Sequence, residues 1–269
     1  MDIWQAIFLG LVQGGTEFIP ISSSAHLVIV PWLLGWPEPG LAFDTAVHCG
    51  TLLAVVAFFR RDIPPLVIAW GRSLIRRKVE GAEAKLAWLI VLGTIPAAVM
   101  GYLWEDFFAE LFGRPTQVAG LLLVTGLLLA LSERWGMGKR DLGQMRVMDS
   151  LLTGLAQGAA IAPGISRSGA TIATGLFLGL KKEVAARYSF LLFIPIILGA
   201  AMSQLAKPPP VATEAHLLAM FFGFAAAAIS GYLCIGLLLA HLRKGRLYIY
   251  AAYCWIAGLG VLTASLFIR

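Results

Sequence analysis

Six stretches of the chain, at about 41–59, 86–104, 117–133, 187–205, 216–241 and 247–268, are apolar along their whole length. Each is long enough to cross a hydrocarbon core of about 30 Å as a helix of roughly 20 residues. Two further stretches, 3–35 and 149–180, are apolar at both ends and polar in the middle. In the first the break runs from Glu17 through Phe18, Ile19, Pro20, Ile21, Ser22, Ser23, Ser24 and Ala25 to His26; in the second it runs from Pro163 to Thr171. The flanking pieces, some 10 to 14 residues each, have the length of re-entrant half-helices rather than spans. The pattern predicts an all-α polytopic membrane protein with six transmembrane helices and two re-entrant helix hairpins.

The two broken stretches are related to each other. A constant shift of 144 pairs Gly10, Leu11, Gln13 and Gly14 with Gly154, Leu155, Gln157 and Gly158, and Ile21, Ser22 and Ser24 with Ile165, Ser166 and Ser168. A second shift, of 130, pairs Gly93, Ala97, Ala98, Gly101, Tyr102 and Leu103 with Gly223, Ala227, Ala228, Gly231, Tyr232 and Leu233. The chain therefore reads as one membrane domain over 1–269, duplicated as 1–135 and 148–269. The change of shift is a deletion of 14 residues, and it falls where the first half carries a long basic loop, 60–85.

Composition agrees with a membrane reading: 59% of residues are hydrophobic, 13% are charged, and the mean hydropathy is +0.81. A soluble single domain, a disordered chain and a disulfide scaffold fit poorly. Cys49, Cys234 and Cys254 are isolated thiols with no metal-like spacing. The start lacks the basic region and cleavage site of a signal peptide, so the N-terminus is expected to be mature.

The net charge of +6 invites a nucleic-acid reading until the cations are located. If both broken stretches turn back, the loops 60–85, 134–148, 181–187 and 242–246 share one side and hold 17 of the 21 Lys and Arg residues. Arg114, Lys207 and Arg269 fall on the other side and Arg167 inside the membrane. If both stretches crossed instead, the split would be 13 against 7. The excess of cations on cytoplasmic loops favours the re-entrant reading, with the basic loops cytoplasmic and both termini outside. Three spans per half is an odd number, so the second half is inverted relative to the first. The polar tips then meet near the midplane in a protein-lined cavity.

Arg167 is the most informative residue, because a guanidinium stays charged and an unpaired one in the bilayer costs several kcal/mol. Ser166, Ser168 and Thr171 offer hydroxyls around it, Gly164 and Gly169 allow close backbone approach, and a helix N-terminus follows. Such a turn is a phosphate cradle in physical terms. The plainer alternative is an ion pair with Glu17 across the repeats. The first tip brings Glu17, Ser22, Ser23, Ser24 and His26 within ten residues, a set able to activate a nucleophile and move protons, or simply to cap half-helices. Facing a phosphate cradle, catalysis is the better reading. Asp44 and His48, spaced i, i+4, are expected to pair with each other or to line the cavity in a supporting role. Gln13 and Gln157 are expected to orient Glu17 and the cradle.

The run Gln13-Gly14-Gly15-Thr16-Glu17-Phe18-Ile19-Pro20-Ile21-Ser22-Ser23 with His26, and the run Pro163-Gly164-Ile165-Ser166-Arg167-Ser168-Gly169-Ala170-Thr171, closely resemble the two signature motifs of the bacterial undecaprenyl-diphosphatase, or bacitracin-resistance, family. The resemblance extends to Phe43-Asp44, His48 and Gly50-Thr51 and covers nearly the whole chain. It implies removal of the terminal phosphate of undecaprenyl diphosphate at the outer face of the bacterial cytoplasmic membrane. It also implies catalytic roles for Glu17, Ser23 and His26 and phosphate binding by Arg167. Some members carry a second Glu where this chain has Gln13, which weakens a two-carboxylate metal site. A divalent cation, Mg2+ or Ca2+, is implied as well, with Glu17 as candidate ligand; lacking a complete cage of hard ligands, the site would receive it largely on the diphosphate. The partners expected are the polyprenyl diphosphate and membrane lipids, with a homodimer allowed and no nucleic acid. The expected scheme has Ser23 attack, giving a phosphoserine, with His26 as proton carrier and Glu17 orienting it or binding the cation; its variants use His26 as the nucleophile or as base to a direct attack by water. The rival class is an inverted-repeat transporter for a lipid phosphate or anion.

Overall fold

A computed structural model of the chain describes residues 1–136, 138–206 and 214–267. In chain order the α-helices are α1 (Ile3–Glu17), α2 (Ser23–Leu34), α3 (Leu41–Phe58), α4 (Ile63–Arg76), α5 (Gly81–Leu103), α6 (Glu105–Phe112), α7 (Pro115–Trp135), α8 (Val147–Ala159), α9 (Arg167–Phe177), α10 (Lys182–Leu205), α11 (Glu214–Leu242) and α12 (Tyr248–Ala264). Among the described residues no strand is present.

By length and apolarity α3, α5, α7, α10 and α11 qualify as membrane spans. The stretch expected to span at 247–268 is shorter than the pattern predicted: α12 has 17 residues and ends at Ala264, where Ser265 takes the cap position. At 1.5 Å per residue it is about 25 Å long, slightly under the thickness of a hydrocarbon core.

The broken stretches form helix pairs whose arms fold back on each other. In α1 the start is fixed by a reciprocal cap: Gln5 N–H donates to Asp2 Oδ1 (2.8 Å) and Asp2 N–H to Gln5 Oε1 (3.0 Å). The helix stops at Glu17, the chain turns through Pro20, and α2 restarts with the Ser22 hydroxyl accepting from Ala25 N–H. Phe8 near the start of α1 meets Trp36 beyond the end of α2, so the two feet lie together. The second pair behaves alike. Gly164, at φ +104°, allows the chain to turn, and the Ser166 hydroxyl caps α9 by accepting from Gly169 N–H at 3.1 Å. One guanidinium ties its feet, since Arg140 donates to Asp149 in the first turn of α8 (3.2 and 2.5 Å) and to Leu178 O just past α9 (2.7 Å). The arms have 15, 12, 13 and 11 residues, or about 17–23 Å each.

Each first arm packs against a span from the other half, α1 on α11 and α8 on α5, while α7 lies against α12 and α3 against α10. The crossings are made by the glycines that the two shifts relate. A Cβ on Gly10 would stand 2.3 Å from Gly223 O, and one on Gly154 would stand 2.2 Å from Gly93 O, so a larger residue at either crossing forces the helices apart. Between them sits an apolar core in which Phe18, fully buried, meets the rings of Phe190 and Phe193 edge-on and anchors the first tip to α10.

All four basic segments meet on one face. Lys85 donates to Gly143 O, Arg187 pairs with Asp62, Lys181 with Asp141 at 2.7 Å, and Lys182 with Glu133 at 2.7 Å while also reaching Gly245 O. Of the three cations assigned to the sparse side, Arg114 pairs with Glu110, whereas Lys207 and Arg269 lie outside the described residues. The segment 60–85, expected as a loop, is instead mostly occupied by α4, which buries Leu66 and Ser73 against α5, with Trp88 Nε1 donating to Ser73 Oγ at 2.8 Å. Its apolar residues recur at helical spacing between the arginines, a period that a count of charges does not register.

Candidate active site

Ser23 and Arg167 are the first residues of α2 and α9, the same position in each half under the shift of 144. Both are turned toward Glu17, the last residue of α1. Arg167 Nη2 donates to Glu17 Oε1 at 2.5 Å, and Ser23 Oγ donates to the other oxygen, Oε2. Gln13 Nε2 also donates to Oε2, at 2.7 Å, and His48 Nε2 stands 3.6 Å from it. The hydroxyl and the guanidinium thus lie on the two oxygens of one carboxylate, a separation similar to that of two oxygens on a phosphate.

The cluster is nearly closed to its surroundings. The Glu17 side chain is 5% exposed and that of Arg167 13%. Arg167 Cζ lies over the Phe193 ring, 4.0 Å from its centre, a cation–π contact. Its second terminal nitrogen, Nη1, is buried and has no hydrogen-bond partner among the described residues. A buried donor on a permanent cation is costly to leave unmet, and an anion is what would meet it. The tips also touch directly, with Ser168 Oγ donating to Ile19 O at 3.3 Å.

Other predicted residues divide into those that hold the turns and those that face elsewhere. The Ser22 and Ser166 hydroxyls cap their helices and lie 3.2 Å from those of Ser24 and Ser168. Ser22 has φ +67°, a strained value for a residue with a Cβ, and it is the turn that delivers Ser23 to the carboxylate. Thr171 does not face the tip: its Oγ1 donates to Arg167 O at 2.8 Å within α9 and lies 2.6 Å from Ser189 Oγ of α10. His26 is not bonded to Glu17 or Ser23. Its Nδ1 lies 2.7 Å from Ser22 O and its Nε2 2.7 Å from Tyr253 Oη, with the two rings stacked. A carbonyl can only accept, so Nδ1 carries the proton and Nε2 accepts from the tyrosine.

Asp44 and His48 do not pair through their side chains. His48 Nδ1 donates to the backbone O of Asp44 at 2.7 Å, which turns Nε2 toward Glu17, while Asp44 Oδ1 is buried without a partner among the described residues. The i, i+4 spacing shared a face, as expected, but the imidazole reached the carbonyl one turn back before it reached the carboxylate. Gln157 likewise does not orient the cradle, since neither polar atom of its amide has a partner among the described residues. That task falls to Thr125, whose Oγ1 accepts from Ser166 N–H at 2.9 Å and donates to Gly164 O at 2.8 Å.

A family profile described as "Bacitracin resistance protein BacA" matches residues 6–260. The chain belongs to that family. Relatives named undecaprenyl-diphosphatase accompany the BacA match at full length. One from Thermomicrobium roseum is 44% identical over 100% of both chains. One from Methanobrevibacter smithii is 46% identical over 99% of both, and one from Geobacter sulfurreducens is 46% identical over 100% of both. Both tips lie within the BacA match, and so does Tyr253, a site neighbour that motif reading missed. Tyr253 comes from an apolar helix 227 residues away from His26, and nothing in its local pattern separates it from a tyrosine at the membrane interface. Thr125 and Ser189 were missed for the same reason.

Proposed function

We propose that this chain hydrolyses undecaprenyl diphosphate to undecaprenyl phosphate and inorganic phosphate, recycling the lipid carrier for cell-wall synthesis and so conferring bacitracin resistance. The observation that carries the proposal is the Glu17 carboxylate, which holds a serine hydroxyl from one tip and a guanidinium from the other. An anion carrier needs the guanidinium; only a group-transfer enzyme needs the hydroxyl bonded to a carboxylate beside it.

In the mechanism we favour, the terminal phosphate takes the place of Glu17 on Arg167 and engages the free Nη1. Ser23 Oγ attacks the terminal phosphorus as Glu17 Oε2 takes its proton, and the bond from that phosphorus to the bridging oxygen breaks, releasing undecaprenyl phosphate. Water then attacks the phosphoserine. As the Tyr253 hydroxyl withdraws from His26 Nε2, that nitrogen takes one proton of the water and passes it on to solvent; Ser23 Oγ leaves with the proton held by Glu17, and inorganic phosphate is freed. This assigns to Glu17 the role expected of His26 in the first step, because Glu17 is the group bonded to the serine.

The residues present make no cage for a resident metal. Among the described residues no group of three or more His, Cys, Asp or Glu is placed to hold one, and both Glu17 oxygens are engaged. We therefore propose that a divalent cation, Mg2+ or Ca2+, enters as part of the substrate, bound to the diphosphate, and no step above runs through it.

For the membrane arrangement we propose six spans and two re-entrant hairpins in inverted repeats, 1–135 and 148–269. The exchanged packing of α1 on α11 and α8 on α5 supports the duplication. The meeting of all four basic segments on one face supports re-entry, since a hairpin that crossed would separate them. By the distribution of positive charge that face is cytoplasmic, with the termini outside and the site open toward the outer face of the bacterial cytoplasmic membrane. A single chain supplies both tips, so the reading is complete without a second copy, and a homodimer is compatible with it.

The experiment that tests the function is phosphate release by the purified chain in detergent, where no second compartment exists. Release from undecaprenyl diphosphate is expected; its absence, with transport of the lipid phosphate persisting in vesicles, overturns the enzyme in favour of the carrier. The role of Tyr253 is tested by Tyr253→Phe. Losing the donor that holds His26 Nε2 is expected to lower kcat roughly tenfold, KM staying near its wild-type value, and to alter the pH profile. An unchanged profile and kcat would make the tyrosine a packing residue only.

A further inference from the structure

The segment with no counterpart in the second half is the one that holds α4. Around it the helix surface divides into three. Leu66 and Ser73 are buried against α5. Val67, Leu74, Ile68 and Ile75 form an adjacent apolar face that the described residues leave about half exposed or more, with Ile75 85% exposed. Arg72 and Arg76, one turn apart, border that face and open onto a cavity of about 560 Å³ shared with Lys78 and, from the α5 side, Glu80 and Glu83.

What sets the cations of this cavity apart is their grouping: three line one concave site beside an exposed apolar face. Arg72, Arg76 and Lys78 are in no ion pair among the described residues although two carboxylates line the same cavity, whereas Arg140, Lys181, Lys182, Arg187 and Arg243 each have a carboxylate within reach and the other unpaired cations, Arg60 and Arg61 among them, lie outside it. A helix with an uncovered apolar face edged by cations lies in the plane of a membrane interface, apolar face toward the acyl chains. The unpaired cations then stand at the level of the phosphates.

We propose that this cavity seats the headgroup of an anionic phospholipid of the phosphatidylglycerol class from the leaflet on the α4 side. Arg72, Arg76 and Lys78 take the phosphodiester, Glu80 and Glu83 accept from the glycerol hydroxyls, and the acyl chains run along Val67, Leu74, Ile68 and Ile75. Charge complementarity selects the anionic lipid, and the apolar face selects a lipid over a free phosphate, which would gain nothing from it. The catalytic tips take no part, so this site stands or falls independently of the hydrolytic reading.

Native mass spectrometry of the purified full-length chain with equal amounts of phosphatidylglycerol and phosphatidylcholine tests it. The wild type is expected to retain phosphatidylglycerol with a preference of roughly tenfold. Arg72→Gln/Arg76→Gln/Lys78→Gln is expected to lose that preference while still releasing phosphate in detergent, which shows that it is folded. Arg60→Gln/Arg61→Gln, with charges removed from the same face outside the cavity, is expected to keep it. Arg76→Gln alone, the least disruptive change, should lower the preference in the same direction. A preference that survives the triple change, or that falls equally with Arg60→Gln/Arg61→Gln, overturns the pocket in favour of diffuse attraction. Displacement of the lipid by millimolar inorganic phosphate would assign the cations to a free anion and overturn the lipid.

Discussion

Arg167→Ala is expected to reduce phosphate release by about 10³-fold or more, the scale on which a guanidinium stabilises a transferring phosphoryl group. Two independent losses combine in this variant. In the proposed mechanism the transition state loses the guanidinium that would hold its phosphoryl oxygens, and the empty protein loses the partner of Glu17, whose side chain is 5% exposed. Breaking a buried pair by removing one member costs about 3–5 kcal/mol, since the remaining charge stays buried. Thermal unfolding and activity therefore both fall, and a double variant separates them. Glu17→Gln/Arg167→Ala removes both charges and is expected to recover most of the stability and none of the activity. Arg167→Lys keeps a charge but neither the planar fork nor the stacking on Phe193, and is expected to fall between wild type and Arg167→Ala. A folded Arg167→Ala protein that releases phosphate at the wild-type rate would remove the anion site from the proposal.

That Arg167 could be singled out at all follows from scarcity. In a chain with 13% charged residues, a cation that fits neither loop set has to be accounted for inside the membrane. The breaks at Pro20 and Gly164 were legible for a similar reason, because polar residues and turn formers inside an apolar run have few structural explanations. The two repeat shifts picked out Gly10, Gly154, Gly93 and Gly223 as related positions, but that Gly10 meets Gly223 and Gly154 meets Gly93 comes only from the packing. What stayed hidden was of two kinds. Partners that act through one polar atom on an otherwise ordinary helix, such as Tyr253, Thr125 and Ser189, have no local signature, because proximity comes from the three-dimensional packing. Directions of side chains were hidden too: the spacing of Asp44 and His48 placed them on one face but did not decide whether the imidazole would bond the carboxylate, the backbone or Glu17. The helix within 60–85 stayed hidden because its arginines dominate the composition while its apolar residues show only in their spacing.

In the mechanism proposed above the geometry favours Ser23 over His26 as nucleophile, and Ser23→Ala tests that choice. Both ring nitrogens of His26 are engaged, Nδ1 as donor to a carbonyl and Nε2 as acceptor from Tyr253, so the histidine has no free lone pair aimed at a phosphate. Ser23 Oγ donates to a carboxylate, which leaves its own lone pairs available and provides the base for its proton. Ser23→Ala is accordingly expected to lower kcat by at least ~10³-fold, with little change in substrate binding, since Arg167 remains. With substrate labelled in the terminal phosphate and acid quenching, label is expected on Ser23 of the wild type and absent from Ser23→Ala. His26→Ala sharpens the test, because it leaves the first step intact and slows the second: label on Ser23 should then accumulate. Acid-labile label on His26, persisting in Ser23→Ala, would reverse the assignment. Full turnover in Ser23→Ala would favour direct attack by water, with Glu17 activating the water in place of the hydroxyl that now occupies its Oε2.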